Sequence, residues 1–314
     1  MFRAFRLTLY SWLSALFAAY RRLDLHLGQR FPWLRKLYAS AAAAVRPARV
    51  NTQGQWVYLH PEDIGLSHDL LYKGGFEEFE TRLFVAALEP GATVLDIGAN
   101  VGIYTVLAAA RVGPAGHVYA FEPERENFSL LMKNIAANGH GNVVPLQRAV
   151  GERKGEIPVY LAKDNRGDHR TYSPNDGYQR EHYLVPMVTV DDALPPSATP
   201  SVIKMDIQGF EMYALRGMRQ TIARADRLAV FSEFWPYGLT GAGIASPADY
   251  VDELRALGLR IYQVDDTTKA IVEVQDPRAL VAALPRQSYT DLVCLKGEWP
   301  QLTRHILTRE GQTT

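Results

Sequence analysis

From about residue 76 onward, short apolar runs alternate with stretches whose apolar positions recur every three to four residues. Runs of the first kind read as buried strands and stretches of the second as amphipathic helices. The pattern predicts helix 76–88, strand 93–97, helix 102–112, strand 117–121, helix 124–138 and strand 143–147. It resumes with strand 201–206, helix 210–224, strand 228–233, helix 247–257, strand 260–264 and a last strand near 289–295. Such alternation implies a mostly parallel sheet covered by helices on both faces. Ligands then belong beyond the carboxyl ends of the strands, where the strand order reverses. Residues 162–186 interrupt the pattern with a polar, turn-rich insert, the kind of loop that serves as a lid. Upstream, "AAAAVRPARVNTQGQ" (41–55) ends a helix at a proline, and "WVYLHPEDIG" reads as a short strand or hairpin. Two units are expected: an arm over 1–50 and one α/β domain over 51–314.

Composition changes this picture in one place. The chain has 314 residues, 47% of them hydrophobic, enough to bury a substantial core, and its formal net charge is zero. A neutral balance gives no reason to expect a nucleic-acid partner. The charge is unevenly spread, however. Residues 1–50 carry nine Lys/Arg against the single acid Asp24, a net of +8, so the remainder is −8. Within the arm, "LTLYSWLSALFAAY" (7–20) is uncharged but shorter than the ~20 residues of a spanning helix. Its Trp and Phe residues, interleaved with Arg and Lys, fit an interfacial membrane helix. They fit equally a helix packed on its own domain or on a second subunit, so residues 1–45 offer either a peripheral membrane contact or a homodimer contact. A cleaved signal fits less well, because "AAYRRLDL" makes a poor cleavage site. The only cysteine, Cys294, lies in the apolar run "TDLVCLK" and reads as core. A chain with one cysteine forms no internal disulfide, which allows a reducing compartment; the expected location is cytoplasmic, with the arm able to reach a membrane surface.

Candidate chemistry begins at "VLDIGANVGIYT" (94–105), where Asp96 ends a strand and Gly98, Asn100 and Gly102 open a helix. Glycines there permit positive φ and close approach to the backbone. The spacing is G-x-x-x-G rather than the dinucleotide G-x-G-x-x-G, and no G-K-[ST] of a P-loop follows. An acid at the strand end would repel a pyrophosphate. It suits a ligand bearing an ammonium and a sulfonium, which is the chemistry of S-adenosylmethionine. Glu122, at the end of the next strand, can accept hydrogen bonds from both hydroxyls of an adenosine ribose.

Together these residues resemble the class I S-adenosylmethionine-dependent methyltransferases. The blocks "VLDIGANVGIYT", "YAFEPERENFSLLMKNIAAN", "VTVDDAL" and "IKMDIQGFEMYALRGM" are more closely similar to the FkbM family, whose members are mostly O-methyltransferases. The resemblance covers roughly 77–233, about half of the chain. It implies a Rossmann-like, mostly parallel seven-stranded sheet with the last strand antiparallel. It also implies S-adenosylmethionine as cofactor, bound by Asp96, Gly98, Asn100, Gly102, Glu122 and Asp206. The acceptor would be a hydroxyl on a small molecule, glycan or lipid. A non-catalytic adapter of the same fold is the alternative; a nicotinamide-dependent oxidoreductase is a weaker one, since its glycine pattern is missing.

Methyl transfer to a hydroxyl needs alignment of the acceptor and a group to take its proton. In "VIKMDIQGFE", Asp206 ends a strand and Glu211 opens a helix, either as site residues or as a cap and first-turn acid. Lys204 reads as structural or paired with an acid. Glu233 in "FSEFWP" has two readings, paired with Lys204 or facing the acceptor. In "GDHRTY", His169 is the candidate general base, with Asp168 fixing its tautomer and Arg170 binding an acidic acceptor. The catalytic candidates are thus His169, Asp206 and Glu211, and the acceptor-binding candidates Asp168, Arg170 and Glu233. His169, Asp206 and Glu233 show no ligand spacing that supports a metal, and none is expected.

Overall fold

A computed structural model describes residues 47–60, 77–162, 165–174 and 179–306. The arm up to residue 46 lies outside them, and so do the expectations attached to it. The described part opens with a hairpin of β1 (Arg49–Thr52) and β2 (Gln55–Tyr58), followed by α1 (Glu78–Ala87). Then come β3 (Thr93–Ile97), α2 (Ile103–Val112), β4 (His117–Phe121), α3 (Arg125–Ala137) and β5 (Val143–Leu146). From α1 to β5 each element falls within about two residues of its predicted span, whereas β1 lies in the stretch read as a helix end.

An eight-stranded sheet is the centre of the molecule. To β3, β4 and β5 it adds β9 (Val202–Met205), β10 (Leu228–Phe234), β11 (Arg260–Asp265), β12 (Ala270–Glu273) and β13 (Thr290–Lys296). The order is β12-β11-β13-β10-β9-β3-β4-β5, parallel from β10 to β5, with β13 inserted antiparallel between β10 and β11. The sheet has one strand more than the seven the resemblance implied. The extra strand is β12, which folds back antiparallel on β11 at the sheet edge. β3 and β9 are neighbours although their sequence neighbours diverge, so the strand order reverses there.

Neighbouring residues on each strand point to opposite faces, and both faces are buried. Leu95, Ile97, Ile203, Met205 and Val230 face a core completed by Met212, Leu215, Ile222, Tyr250 and Leu254. Val94, Val118, Val202 and Phe231 face the other, completed by Phe79, Phe84, Tyr104, Ala108 and Val112 from α1 and α2. Double burial is why these strands read as continuous apolar runs rather than alternating ones. Cys294 is fully buried among them, and burial pushes its thiol well above its ordinary range.

Two departures from the sequence reading have local causes. The predicted helix 210–224 is broken into Glu211–Arg216 and Arg219–Arg224. Gly217 packs so tightly that an added Cβ would lie 2.0 Å from the carbonyl oxygen of Gly151. The second piece restarts on Asp191, whose side chain accepts from the backbone N–H of Gln220 and Thr221. The insert, read as irregular from 162 to 186, ends instead in β8 (His182–Val188). β8 pairs with β7 (Gly155–Tyr160) and β6 (Ala149–Val150) in a small three-stranded sheet. Pro158 and Pro186, opposite Leu184 and Glu156, hide these strands because proline is a poor strand signal. Among the described residues no helix is long and apolar enough to cross a membrane.

Candidate active site

A cavity of about 700 Å³ opens at the carboxyl ends of β3, β4, β9 and β10. That is where the reversal of strand order should put a ligand. Asp96, Gly98, Asn100 and Glu122 line it from one side, Asp206 and Glu233 from the floor, and Asp168, His169 and Arg170 from the insert. Nine of the residues singled out from sequence therefore meet around one space. Two do not: Gly102 and Glu211 are absent from the lining.

Gly98 sits in the left-handed region at φ 85°, and an added Cβ would lie 1.9 Å from the Asp206 carbonyl oxygen. The bare backbone is demanded by the crossing of two loops. It brings the β3 and β9 ends together so that both can face one ligand. Gly102, at φ 90°, packs against Leu131, whose Cδ1 would be 2.5 Å from an added Cβ. It is absent from the lining although its chain neighbours Val101 and Ile103 belong to it, and what it serves is the packing of α2 on α3. Asp96 accepts a short hydrogen bond from the Thr105 hydroxyl; burial, resisted by that bond, lifts its carboxyl to about 6. Glu122 accepts from the backbone N–H of Asn100 at 2.7 Å and of Glu124 at 2.8 Å. Burial outweighs both bonds and lifts it to about 8.

At the end of β9, Gln208 donates to Asp206 Oδ1 at 2.8 Å and to Glu233 Oε2 at 3.1 Å. One amide thus holds two cavity-facing carboxylates. Burial, then the charges of Asp206 and Glu211, push Glu233 well above its ordinary value. Glu233 is not the partner of Lys204. The buried Lys204 ammonium lies 2.8 Å from Glu80 Oε1 and 3.9 Å from Glu77, both contributed by the start of α1. Glu77, Glu80 and Asp291 offer carboxylate oxygens within 4.8 Å of one another, and this ammonium is their cation. Glu211 lies behind the lining rather than in it. Its Oε1 accepts from the N–H of Ile207 at 3.0 Å and of Gly209 at 3.2 Å, so it braces the turn below Asp206. Burial lifts its carboxyl to about 7.

The insert folds back over the cavity. Asn127 of α3 donates to the Arg166 carbonyl at 3.0 Å, and Tyr172 to that of Gln208 at 3.0 Å. His169 Nδ1 accepts the Ala162 N–H at 2.9 Å, which puts the ring proton on Nε2. That Nε2 is buried and has no hydrogen-bond partner among the described residues. Burial lowers the imidazole below its ordinary value. In this tautomer His169 offers the cavity a donor rather than the lone pair that a general base would use. Asp168 does not set that tautomer either, since its carboxylate takes Arg170 at 2.7 Å and Arg180 at 2.9 Å. Arg170, so engaged, lies with its guanidinium 4.7 Å from the centre of the Trp235 ring.

Backbone strain also gathers here. Among the described residues six non-glycine residues have positive φ, and four of them line the cavity: Glu77, Asn100, Gln208 and Gln287. Strain of this kind persists where the surroundings hold it, commonly at functional sites. Sequence reasoning missed Glu77, Gln208, Gln287 and Tyr289. Only Gln208 had a local signal, as part of "DIQGFE".

The sequence profile of the Methyltransferase FkbM domain matches residues 96–261, more than half of the chain. The chain belongs to the FkbM methyltransferase family. The hexuronic acid methyltransferase AglP of Haloferax volcanii is 24% identical over 151 residues, which cover 46% of this chain and 58% of that protein. The arsenite methyltransferase of Halobacterium salinarum is 45% identical over 74 residues, 24% of this chain and 18% of its own. The chain thus spans less than two thirds of the length of either relative. Among solved structures, the methyltransferase FkbM from Methylobacillus flagellatus is similar at 16% identity with a TM-score of 0.40, over 72% of this chain and 60% of that one.

Membership of the FkbM family implies S-adenosylmethionine as the cofactor, and the residues present fit it. The cavity carries buried carboxyls on its floor, suited to a cationic ligand, and Glu122 still has acceptor capacity for hydroxyls. Asn100 Oδ1 and Asn127 Oδ1 are buried without a partner among the described residues and supply further acceptors for a polar ligand.

Proposed function

We propose that this protein transfers a methyl group to an oxygen of a sugar-bearing acceptor, with a hexuronic acid residue as the first class to test. The observation that carries the reading is the two-sided cavity: buried carboxylates below, and an insert bearing His169, Arg170 and Arg166 above. The similarity to a hexuronic acid methyltransferase supports the acceptor class. Bound S-adenosylmethionine supplies the electrophilic methyl group. Asp96 and Glu122 hold its charged and hydroxyl-bearing parts. Asp206 and Glu233 are bridged by the Gln208 amide. Whichever of the two is ionised takes the single proton of the acceptor hydroxyl as the hydroxyl oxygen bonds to the methyl carbon and the carbon–sulfur bond breaks. A carboxylate whose proton affinity is raised by burial is the better base near neutral pH. His169 Nε2 donates to an acceptor oxygen and orients it. Arg170 and Trp235 form the wall against which the acceptor lies.

The test is incubation with methyl-labelled S-adenosylmethionine and uronate-containing oligosaccharides, followed by mild alkali. Label that survives as a methyl ether supports transfer to a hydroxyl. Label released by alkali shows transfer to the carboxylate instead, and no labelled sugar overturns the acceptor class. Glu233→Gln should lower turnover by about 10²-fold, the usual scale for a proton-transfer group, while S-adenosylhomocysteine still binds.

A further inference from the structure

Beyond the residues matched by the family profile, the C-terminal segment contributes Gln287 and Tyr289 to the rim of the cavity. Tyr289 is 53% exposed although it lines the cavity, so an aromatic ring stands open at its mouth. The segment is held in place rather than loosely draped. Gln287 adopts φ 67°, and its carbonyl accepts the Trp235 indole N–H at 3.1 Å. Trp235 in turn carries the Arg170 guanidinium over its ring, so the rim is tied to the insert across the cavity. On the insert side, Thr171 Oγ1 and His169 Nε2 are buried polar atoms with no partner among the described residues, and both residues line the same cavity.

An exposed aromatic residue and unpartnered hydroxyl and imidazole groups lining one cavity have a definite chemical complement. The ligand must offer an apolar face for stacking and hydroxyls to meet polar atoms that are costly to leave unpaired. A pyranose ring has both. We infer that Tyr289, with Thr171 and His169, forms a pyranose subsite that sets acceptor specificity from outside the family-defining core. It rests on the sugar acceptor proposed above.

The test uses the full chain saturated with S-adenosylhomocysteine and follows D-glucuronate and D-glucose by saturation-transfer NMR. Binding of at least one sugar is expected, with Tyr289→Ala weakening it at least tenfold and Tyr289→Phe leaving it within threefold. Thr171→Val, which keeps the side-chain shape, should weaken it about threefold to tenfold by removing one hydroxyl partner. Affinity for S-adenosylhomocysteine, measured by calorimetry on each variant, reports that the fold is intact. Sugar binding that ignores Tyr289→Ala and Thr171→Val overturns the subsite and leaves the sugar acceptor standing. Wild-type protein that binds neither sugar while binding S-adenosylhomocysteine overturns the subsite too. Labelled sugar in the transfer assay would then show that the acceptor reading survives it.

Discussion

The two halves of the cavity are built in opposite ways. The half formed by Asp96, Gly98, Asn100 and Glu122 comes from two adjacent strand ends within 27 residues of chain, and its spacing is visible as a motif. The other half joins the start of α1, the insert and the segment before β13, brought together only by the sheet order. Local spacing can announce the first; nothing short of the fold announces the second. The first half therefore supports a family-level reading, while the second should decide which acceptor is used.

The largest effect that would break this contrast is at Gly98. Gly98→Ala puts a methyl group on top of the Asp206 carbonyl, so S-adenosylhomocysteine binding should fall by 10²-fold or more, an estimate on the scale of a lost, misassembled site. Binding retained in calorimetry would mean that the loop crossing is not needed. Glu122→Ala should cost roughly ten- to hundred-fold in the same assay, because charge-assisted hydrogen bonds are worth about 1.5–3 kcal/mol. Removing a donor from the second half, with His169→Phe, should instead raise the KM for the acceptor and leave cofactor affinity within threefold.

A pH effect follows from the first half and the turn beneath it. Asp96, Glu211 and Glu122 are held at about 6, 7 and 8, above the ordinary values of 3.8, 4.5 and 4.5. The folded chain thus binds more protons than the unfolded one between those limits, so its stability falls as pH rises. Thermal melts of the ligand-free protein should drop from pH 5 to pH 8.5. S-adenosylhomocysteine affinity should rise over that range and level off above about 8, as Glu122 becomes the ionised acceptor. A melting temperature that climbs with pH would reverse the assignment. The smallest effect is expected at Gly102. Gly102→Ala strains a positive φ and presses on Leu131, costing about 1–2 kcal/mol of stability, yet cofactor affinity should hardly move. A large loss of affinity would return Gly102 to the ligand.

Legibility in the sequence followed the same division. The strands of the main sheet other than β12 were readable because burial on both faces makes them apolar runs, and α3 because capping and periodicity agree. Glu124, for instance, caps α3 by accepting from the Asn127 N–H at 2.8 Å. β7 and β8 were hidden by their prolines. The tautomer of His169 and the identity of the acid that pairs with Lys204 were beyond reach for another reason. A tautomer depends on which backbone N–H comes to rest beside the ring, and Ala162 is seven residues away. An ion pair between Lys204 and Glu80 spans 124 positions.

That ion pair also decides where the folding unit can be cut. The family profile begins at Asp96, but the anions that neutralise Lys204 lie upstream, at Glu77 and Glu80. Lys204 is 2% exposed, in a strand at the middle of the sheet. A fragment that starts at Asp96 and keeps the rest of the chain, β13 included, would bury an ammonium without those two partners. Breaking a buried pair costs about 3–5 kcal/mol, a large share of the ~5–15 kcal/mol that holds a typical protein folded. Such a fragment should express as aggregate, and one starting before Glu77 should not. The stretch that makes the protein recognisable is thus shorter than the stretch that folds.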